Sequence, residues 1–255
     1  MNERAAPALG PLWHVEGGHT FFAGPLAYNA SHQHGAPVYL AGLYGPFRIR
    51  FRPGPWIACR TAFVPAGMRH ELDCAGDPLA VLYLEPEAGA RALLGLIAAG
   101  EDIEGARVAM RGEIEPLRAL YECPRATVWA GQAIADLAGF AVRRNGPTLD
   151  GRIARIMADL GTCQDTGMSA PRLAASVGLS SSRMQHLFTR DVGVPFRRYR
   201  SWLRMRRAID AVIRGETFTG AAHDAAFADQ AHFANAFRET FGAPASASLV
   251  GIRRP

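Results

Sequence analysis

Between Ser169 and Leu249, apolar positions recur with a helical period in two similar runs, Leu173 to Phe188 and Ala221 to Phe237. Each run opens on a small residue, Ala174 or Ala222, where two helices can cross closely. Four residues later stands a tight-turn residue, Gly178 or Ala226, followed by an apolar one, Leu179 or Phe227. A capping residue then follows, Ser180 or Asp229, able to accept from the orphan N–H groups of a new helix. The second helix of each unit places an apolar trio on one face by i, i+3, i+4 spacing: Met184, Leu187 and Phe188, or Phe233, Ala236 and Phe237. Two helix-turn-helix units in series are predicted. Gly193-Val194-Pro195-Phe196 ends one helix and starts another, with Pro195 in its first turn. From Phe196 to Arg214 the pattern is helical, with Phe196, Tyr199, Leu203, Ala208, Val212 and Ile213 sharing a buried side. Such a rod would hold two reading helices at a fixed separation, suited to successive major grooves about one turn of DNA apart.

The first half of the chain carries a period of two. Phe47, Ile49 and Phe51 alternate with Arg48, Arg50 and Arg52, as a half-buried strand does. Further strands are expected at Thr20–Phe22, Val38–Leu43, Thr61–Val64 and Leu79–Leu84, punctuated by Gly45-Pro46, Pro53-Gly54-Pro55 and Pro65-Ala66-Gly67. Short strands with such turns imply a small sandwich or barrel. Helices are expected at Ala88–Ala99, Pro116–Tyr121 and Thr127–Phe140. Asn145-Gly146-Pro147 breaks the chain, giving an N-terminal domain of residues 1–145 and a C-terminal one of 146–255, whose first helix begins near Asp150.

Charge sharpens this division. Residues 1–150 hold 13 arginines against 15 acidic residues; residues 151–255 hold 15 against 8. All basic residues are arginine, and the excess falls in the helix-turn-helix half, densest from Arg172 to Arg214, as expected for a phosphate-binding surface. Cys59, Cys74, Cys123 and Cys163 are scattered without a CxxC pair, the pattern of isolated reduced thiols. No apolar run is long enough to span a bilayer, and Met1 to Gly10 lacks a signal-peptide core, so a cytoplasmic protein with no membrane partner is expected. Gly17-Gly18 and Gly42-x-x-Gly45 lack the Lys or helix start of a phosphate-binding loop.

Gly193-Val-Pro-Phe-Arg-Arg-Tyr199, with Leu203-x-x-Arg206-x-Ala208, resembles the segment joining the two units of AraC/XylS-type transcription regulators. Ala226-Phe227-Ala-Asp229-Gln-Ala-His232-Phe233-Ala-Asn235-Ala-Phe237-Arg238-x-x-Phe241-Gly242 resembles their second-unit signature. The likeness covers about the last third of the chain. It departs at the turn, where Ala226 replaces the usual Gly; near Asn235, where a basic residue is absent; and at the end, where Pro244-Ala-Ser246-Ala-Ser248-Leu249 replaces Pro-Ser-x-Tyr-Arg. The resemblance implies double-stranded DNA as partner, a homodimer and contact with the transcription machinery, as activator or repressor. Helix positions facing away from the core are the candidates for contact. In the first unit these are Ser181, Ser182, Gln185 and His186 for bases, with Arg183 and Arg190 for phosphate. In the second they are Gln230, Ala231 and Asn235, with Arg238 for phosphate. Gln can pair with adenine N6 and N7, whereas Ala offers only apolar contact.

His32-Gln33-His34 puts two imidazoles on one face of an extended segment, and Pro65-Ala66-Gly67-Met68-Arg69-His70 adds a third. Over residues 28–86 this resembles the two motifs of small cupin barrels, a sensor often found before AraC-type DNA-binding domains. The implied fold is α+β: an N-terminal cupin-like β-barrel with flanking helices, then an all-α domain with two helix-turn-helix units joined by a long helix. A small-molecule effector is expected in the barrel, near His32, His34 and His70. The cupin metal site usually adds a Glu soon after the first His pair, and none lies between His34 and Glu71. No cofactor is therefore required, no metal site is assigned, and a divalent metal with water in an open position is the lesser alternative. No catalytic Ser/His/Asp or paired-carboxylate set is present, so an enzyme is not expected. The rival class is a cupin-type metal-dependent enzyme with an accessory helical domain, which explains the three His but not the paired units.

Overall fold

The computed structural model describes residues 9–85, 91–97, 99–145, 149–162 and 168–254. Antiparallel strands come first: β1 Leu12–Glu16, β2 His19–Pro25, β3 Tyr28–His32, β4 Val38–Gly42, β5 Phe47–Phe51, β6 Trp56–Cys59, β7 Thr61–Val64, β8 His70–Asp73, β9 Pro78–Leu84, β10 Glu101–Ile103 and β11 Ala106–Ala109. Helices follow: α1 Glu115–Glu122, α2 Ala130–Asn145, α3 Gly151–Thr162, α4 Ala170–Ser176, α5 Ser181–Val192, α6 Phe196–Ile213, α7 Phe218–Asp224, α8 Gln230–Phe241 and α9 Ser246–Leu249.

The expected barrel is two sheets rather than one closed wall. Seven strands run β1-β2-β9-β4-β7-β11-β10, and four run β3-β8-β5-β6. The larger sheet is covered on both faces, which is why β4 and β9 read as unbroken apolar runs. One face, with Phe22, Val38, Leu40, Val81 and Tyr83, meets the small sheet's Phe47, Ile49, Phe51 and Leu72 in one core. The other face, with Phe21, Tyr39, Phe63 and Leu82, is covered by α1, α2 and a 3-10 turn at Ala92–Leu96. The expected helix at Ala88–Ala99 is only this turn among the described residues; Ala88 to Ala90 and Ala98 lie outside them. The apolar stripes of α1 and α2, Leu117, Leu120, Ile134, Leu137 and Ala141, are consumed by the sheet.

The small sheet turns a charged face outward. Arg48 lies opposite Asp73 and Arg50 opposite Glu71. Both arginines and Arg52 are ion-paired to these carboxylates, and Arg50 lies 4.7 Å over the Trp56 ring. Cross-strand pairs of this kind fix register as well as charge.

The main departure from the expected layout lies between the halves. The core of the facing sheets continues without a break into the helical half through Trp202, Phe237 and Phe241. Of the stripe expected on α6, Phe196, Tyr199, Ala208 and Val212 are buried, while Leu203 and Ile213 are only partly so. Trp202, Met205 and Ile209 are buried in addition. The rod is sandwiched, helix-turn-helix helices on one side and the N-terminal sheets on the other, so a single stripe undercounts it. Gly146, Pro147 and Cys163 lie outside the described residues; Cys59 and Cys74 are buried free thiols.

Candidate nucleic-acid interface and sensor cavity

The two turns form as their sequences dictate. In the first, Gly178 is left-handed at φ +68°, Leu179 N–H donates to Ala174 O at 2.8 Å, and Ser180 Oγ accepts from Arg183 N at 3.3 Å. In the second, Phe227 N–H donates to Ala222 O at 2.8 Å and Asp229 Oδ1 accepts from His232 N at 2.7 Å. Ala226 takes the left-handed position at φ +58°. Arg204 of α6 compensates: its guanidinium donates to the carbonyls of Ala225 and Ala226 at 3.2 and 2.5 Å and lies 4.3 Å over Phe227. A left-handed Ala costs about 1–2 kcal/mol, of which Gly's greater unfolded-state freedom returns about 0.4–1. Ala226→Gly is therefore expected to raise stability by up to about 1 kcal/mol, measurable as a higher urea midpoint. A lower midpoint would mean that the turn is not strained.

Met184, Leu187 and Phe188 are buried, and Ser182, Arg183, Gln185, His186 and Arg190 are exposed, with Ser181 half-buried. In α8, Gln230, Ala231, Asn235 and Arg238 are exposed. Two of these are engaged inside the protein. Arg190 Nε donates to Asp191 at 2.6 Å, and Gln230 Oε1 accepts from Thr219 Oγ1 at 2.8 Å. Sequence reasoning missed the surface between the two reading helices. A groove of about 620 Å³ is lined by Gln185, Arg197, Arg200, Arg204, His232 and Ala236, among others. The signal was present: Arg197, Arg200 and Arg204 stand at i, i+3 and i+7, one face of α6.

In the N-terminal half, β3 brings in His32, the following turn His34, and β8 His70, the register partner of His32. All three are buried, with ring centroids 4.2, 4.8 and 5.1 Å apart. His32 Nδ1 and His70 Nδ1 donate to the carbonyls of Ala30 and Met68 at 2.7 and 3.0 Å. His34 lies against the backbone of Thr240 in α8, and neither its Nδ1 nor His70 Nε2 has a hydrogen-bond partner among the described residues. Burial, reinforced by the neighbouring imidazoles, holds His32 and His34 well below the usual histidine range. Burial alone brings His70 down to about 4. The rings are thus neutral, with lone pairs facing one another. Two of them, His32 and His34, line a cavity of about 30 Å³ together with Trp13, Asn29, Tyr83, Phe237 and Phe241. Glu71 faces away from it, paired with Arg50, Arg52 and Tyr28.

The helical half closes this cavity. Asn29 Nδ2 donates to Phe241 O at 2.6 Å, Ala30 N to Gly242 O at 2.8 Å, and Trp13 Nε1 to Ser248 O at 2.8 Å. Beside it lies a wider cleft of about 620 Å³, lined by Ser31, Gln33, Arg69, Arg198, Trp202 and Glu239, among others. Arg198 is depressed by burial and then by Arg69. Neither arginine has an ion-pair partner among the described residues.

Residues 173–249 match the sequence profile of a helix-turn-helix domain. With the paired turns, the long rod and the second-unit signature, that match decides the class. Residues 173–249 form a helix-turn-helix domain. The two halves together share the fold of ToxT from Vibrio cholerae O395, with a TM-score of 0.58 at 12% identity, over 92% of this chain and 98% of that one. A ToxT structure from strain SCE256 with bound unsaturated fatty acid gives 0.56 at 11%, over 91% and 94%. ToxT bound to (E)-4-(8-methylnaphthalen-1-yl)but-3-enoic acid gives 0.56 at 9%, over 92% and 99%. None of the curated proteins compared with the chain matches it in sequence. Among the described residues, no helix is long and apolar enough to cross a membrane.

Proposed function

We propose that this protein is a sequence-specific transcription regulator of the AraC type whose DNA-binding half answers to a small molecule held by the sensor. The observation that carries this reading is the pair of capped reading helices on one 18-residue rod, with polar residues exposed on both. At 1.5 Å per residue the rod is about 27 Å long, comparable to one turn of DNA. Residues 1–145 form the proposed sensor and 146–255 the proposed reader. Gln185, His186, Ser181, Ser182, Gln230, Ala231 and Asn235 are the proposed base-facing set, and Arg183, Arg190 and Arg238 the phosphate-facing set. A cytoplasmic location is part of this reading. Pairing of two copies belongs to the same reading; with α1 and α2 spent on the sheet, the exposed Val128 and Trp129 between them offer apolar surface for it.

The full chain should bind duplex DNA with strong salt dependence. If about five phosphates are neutralised, log–log theory gives a slope near −4.5, and the affinity falls roughly 500-fold between 50 and 200 mM salt. Fluorescence anisotropy with fragmented genomic DNA measures this, and no binding at low salt removes the proposal.

For the effector, the ToxT ligands named above are both carboxylic acids. In this chain Arg69 from the sensor and Arg198 from the rod meet in a polar cleft large enough for a small molecule. An organic anion bridging them would relieve a like-charge contact between the halves. The enzyme alternative has less support, because the cavity beside the three His, about 30 Å³, is far below the roughly 300 Å³ an organic substrate needs.

A further inference from the structure

We propose that His32, His34 and His70 bind one divalent transition-metal ion, and that the bound ion fastens the second helix-turn-helix unit to the sensor. The metal site stands on geometry independent of the regulator reading; its consequence for DNA rests on that reading.

Three arguments carry the site. First, the ligand nitrogens of the three imidazoles lie within 4.8 Å of one another. At least two of those atoms, His34 Nδ1 and His70 Nε2, are buried without any partner. A buried acceptor left unpaired costs about 1–3 kcal/mol, and neutral imidazole lone pairs gathered this closely offer no donor to one another. A cation satisfies all three at once. Second, His32 and His70 already donate Nδ1–H to the backbone carbonyls of Ala30 and Met68, and His34 is packed against the Thr240 backbone. Such bonds fix the tautomer and aim the free nitrogen in metal-ligating histidines. Third, the cavity that His32 and His34 line is about 30 Å³, room for one small fourth ligand but not for an organic molecule. Three neutral imidazoles and no carboxylate suit Zn²⁺, Co²⁺, Ni²⁺ or Fe²⁺ rather than Mg²⁺ or Ca²⁺. The sequence argument against a metal was the missing Glu; a three-His set with an open fourth position does not need it.

The link to the reading helix is short. His34 rests on Thr240, in the last turn of α8. His32 rests on the Ala30 carbonyl, and the Ala30 N–H in turn donates to Gly242 O at 2.8 Å. At Gly242, φ is +72°, and a Cβ there would lie 2.6 Å from His32 Nδ1. Two of the three ligands are therefore buttressed by residues 240–242, which end the second reading helix. An ion that fixes both rings stabilises the docked form, and by reciprocity any opening of the halves weakens the ion's grip.

The test uses untagged full-length protein, stripped with chelator and titrated with Co²⁺, then Zn²⁺ in competition. We expect one ion per chain, Co²⁺ ligand-field absorption of imidazole type, and a Tm rise of about 5–10 °C at a hundredfold excess over Kd. His34→Ala and His70→Gln, each checked for a native circular dichroism spectrum, should abolish the absorption. Arg206→Ala, which loosens the halves at a point outside the His cluster, should weaken Co²⁺ binding about tenfold. Absent absorption and an unchanged Tm overturn the site, as does equal binding by the His variants. Site-specific binding that Arg206→Ala leaves unchanged overturns the fastening. Metal binding by a protein that ignores DNA sinks the regulator reading and leaves the site standing.

Discussion

Arg206→Ala should cost about 3–5 kcal/mol, because it strands a buried carboxylate. Arg206 leaves α6 and enters the sensor. Its Nη1 meets Glu85 Oε1 at 2.8 Å, its Nε meets Thr20 Oγ1 at 2.7 Å, and its Nη2 reaches the carbonyls of Gly17 and His19 at 2.6 and 3.1 Å. Both side chains of the pair are nearly enclosed, at 11% and 6% exposure. Glu85 also accepts from Trp202 Nε1 at 3.0 Å, while its Oε2 has no partner. With the guanidinium gone, one indole N–H is the only side-chain bond left to a buried charge among the described residues. The whole set joins the sensor to the rod, so the loss falls on their association. Chemical denaturation should show it, with earlier proteolytic cleavage between the halves. Arg214→Ala is the control: that arginine pairs with Asp210 on an open surface, where such pairs contribute at most about 1 kcal/mol. Equal, small losses from both substitutions would show that the buried pair does not hold the halves together.

Glu85 and Arg206 also show where the sequence stopped being informative. The two units were legible because each combines a helical period, a turn residue and a cap within about 20 residues, and local signals of that kind survive in any context. Ser180 and Asp229 cap as expected, and Gly178 and Ala226 take the same left-handed position. The strands found from sequence were unbroken apolar runs or, at Phe47–Phe51, a clean alternation with arginines. Tyr28–His32 and His70–Asp73 were not, since one carries polar residues and the other a buried Glu paired across the sheet. That strand pairing is also what places His70 against His32. The convergence of the three His could be suspected from spacing. Their seat on Thr240 and Gly242 could not, because it depends on residues some 200 positions away. Trp202 was passed over for the same reason: it faces the sensor, against Tyr83 at 4.7 Å between ring centroids, with Phe241 of α8 at 6.3 Å.

The two reading heads should differ in what they recognise. Gln185 is exposed beside the buried Met184, at the edge of the arginine-lined groove, and carries both a donor and an acceptor. In α8 the corresponding positions are Ala234, which is half-buried, and Asn235, which is exposed but shorter. The far end of α8 is also committed elsewhere: Phe237 and Phe241 line the sensor cavity, and Gly242 is bonded to Ala30. The first unit is therefore the better placed to discriminate bases, and the second to be positioned by the sensor. A bidentate base contact contributes about 1–3 kcal/mol of discrimination, a factor of roughly 5 to 150. Gln185→Ala should relax preference by that much at the first half of the operator, and Asn235→Ala by less at the second. Among the arginines, Arg183 should matter more than Arg190, whose Nε is held by Asp191. Arg183→Ala should weaken binding to all sequences alike and flatten the salt dependence by about one unit of slope. Selection of bound sequences from a random pool, repeated for each variant, measures all three. A large shift in preference with Asn235→Ala and none with Gln185→Ala would reverse the ranking of the heads.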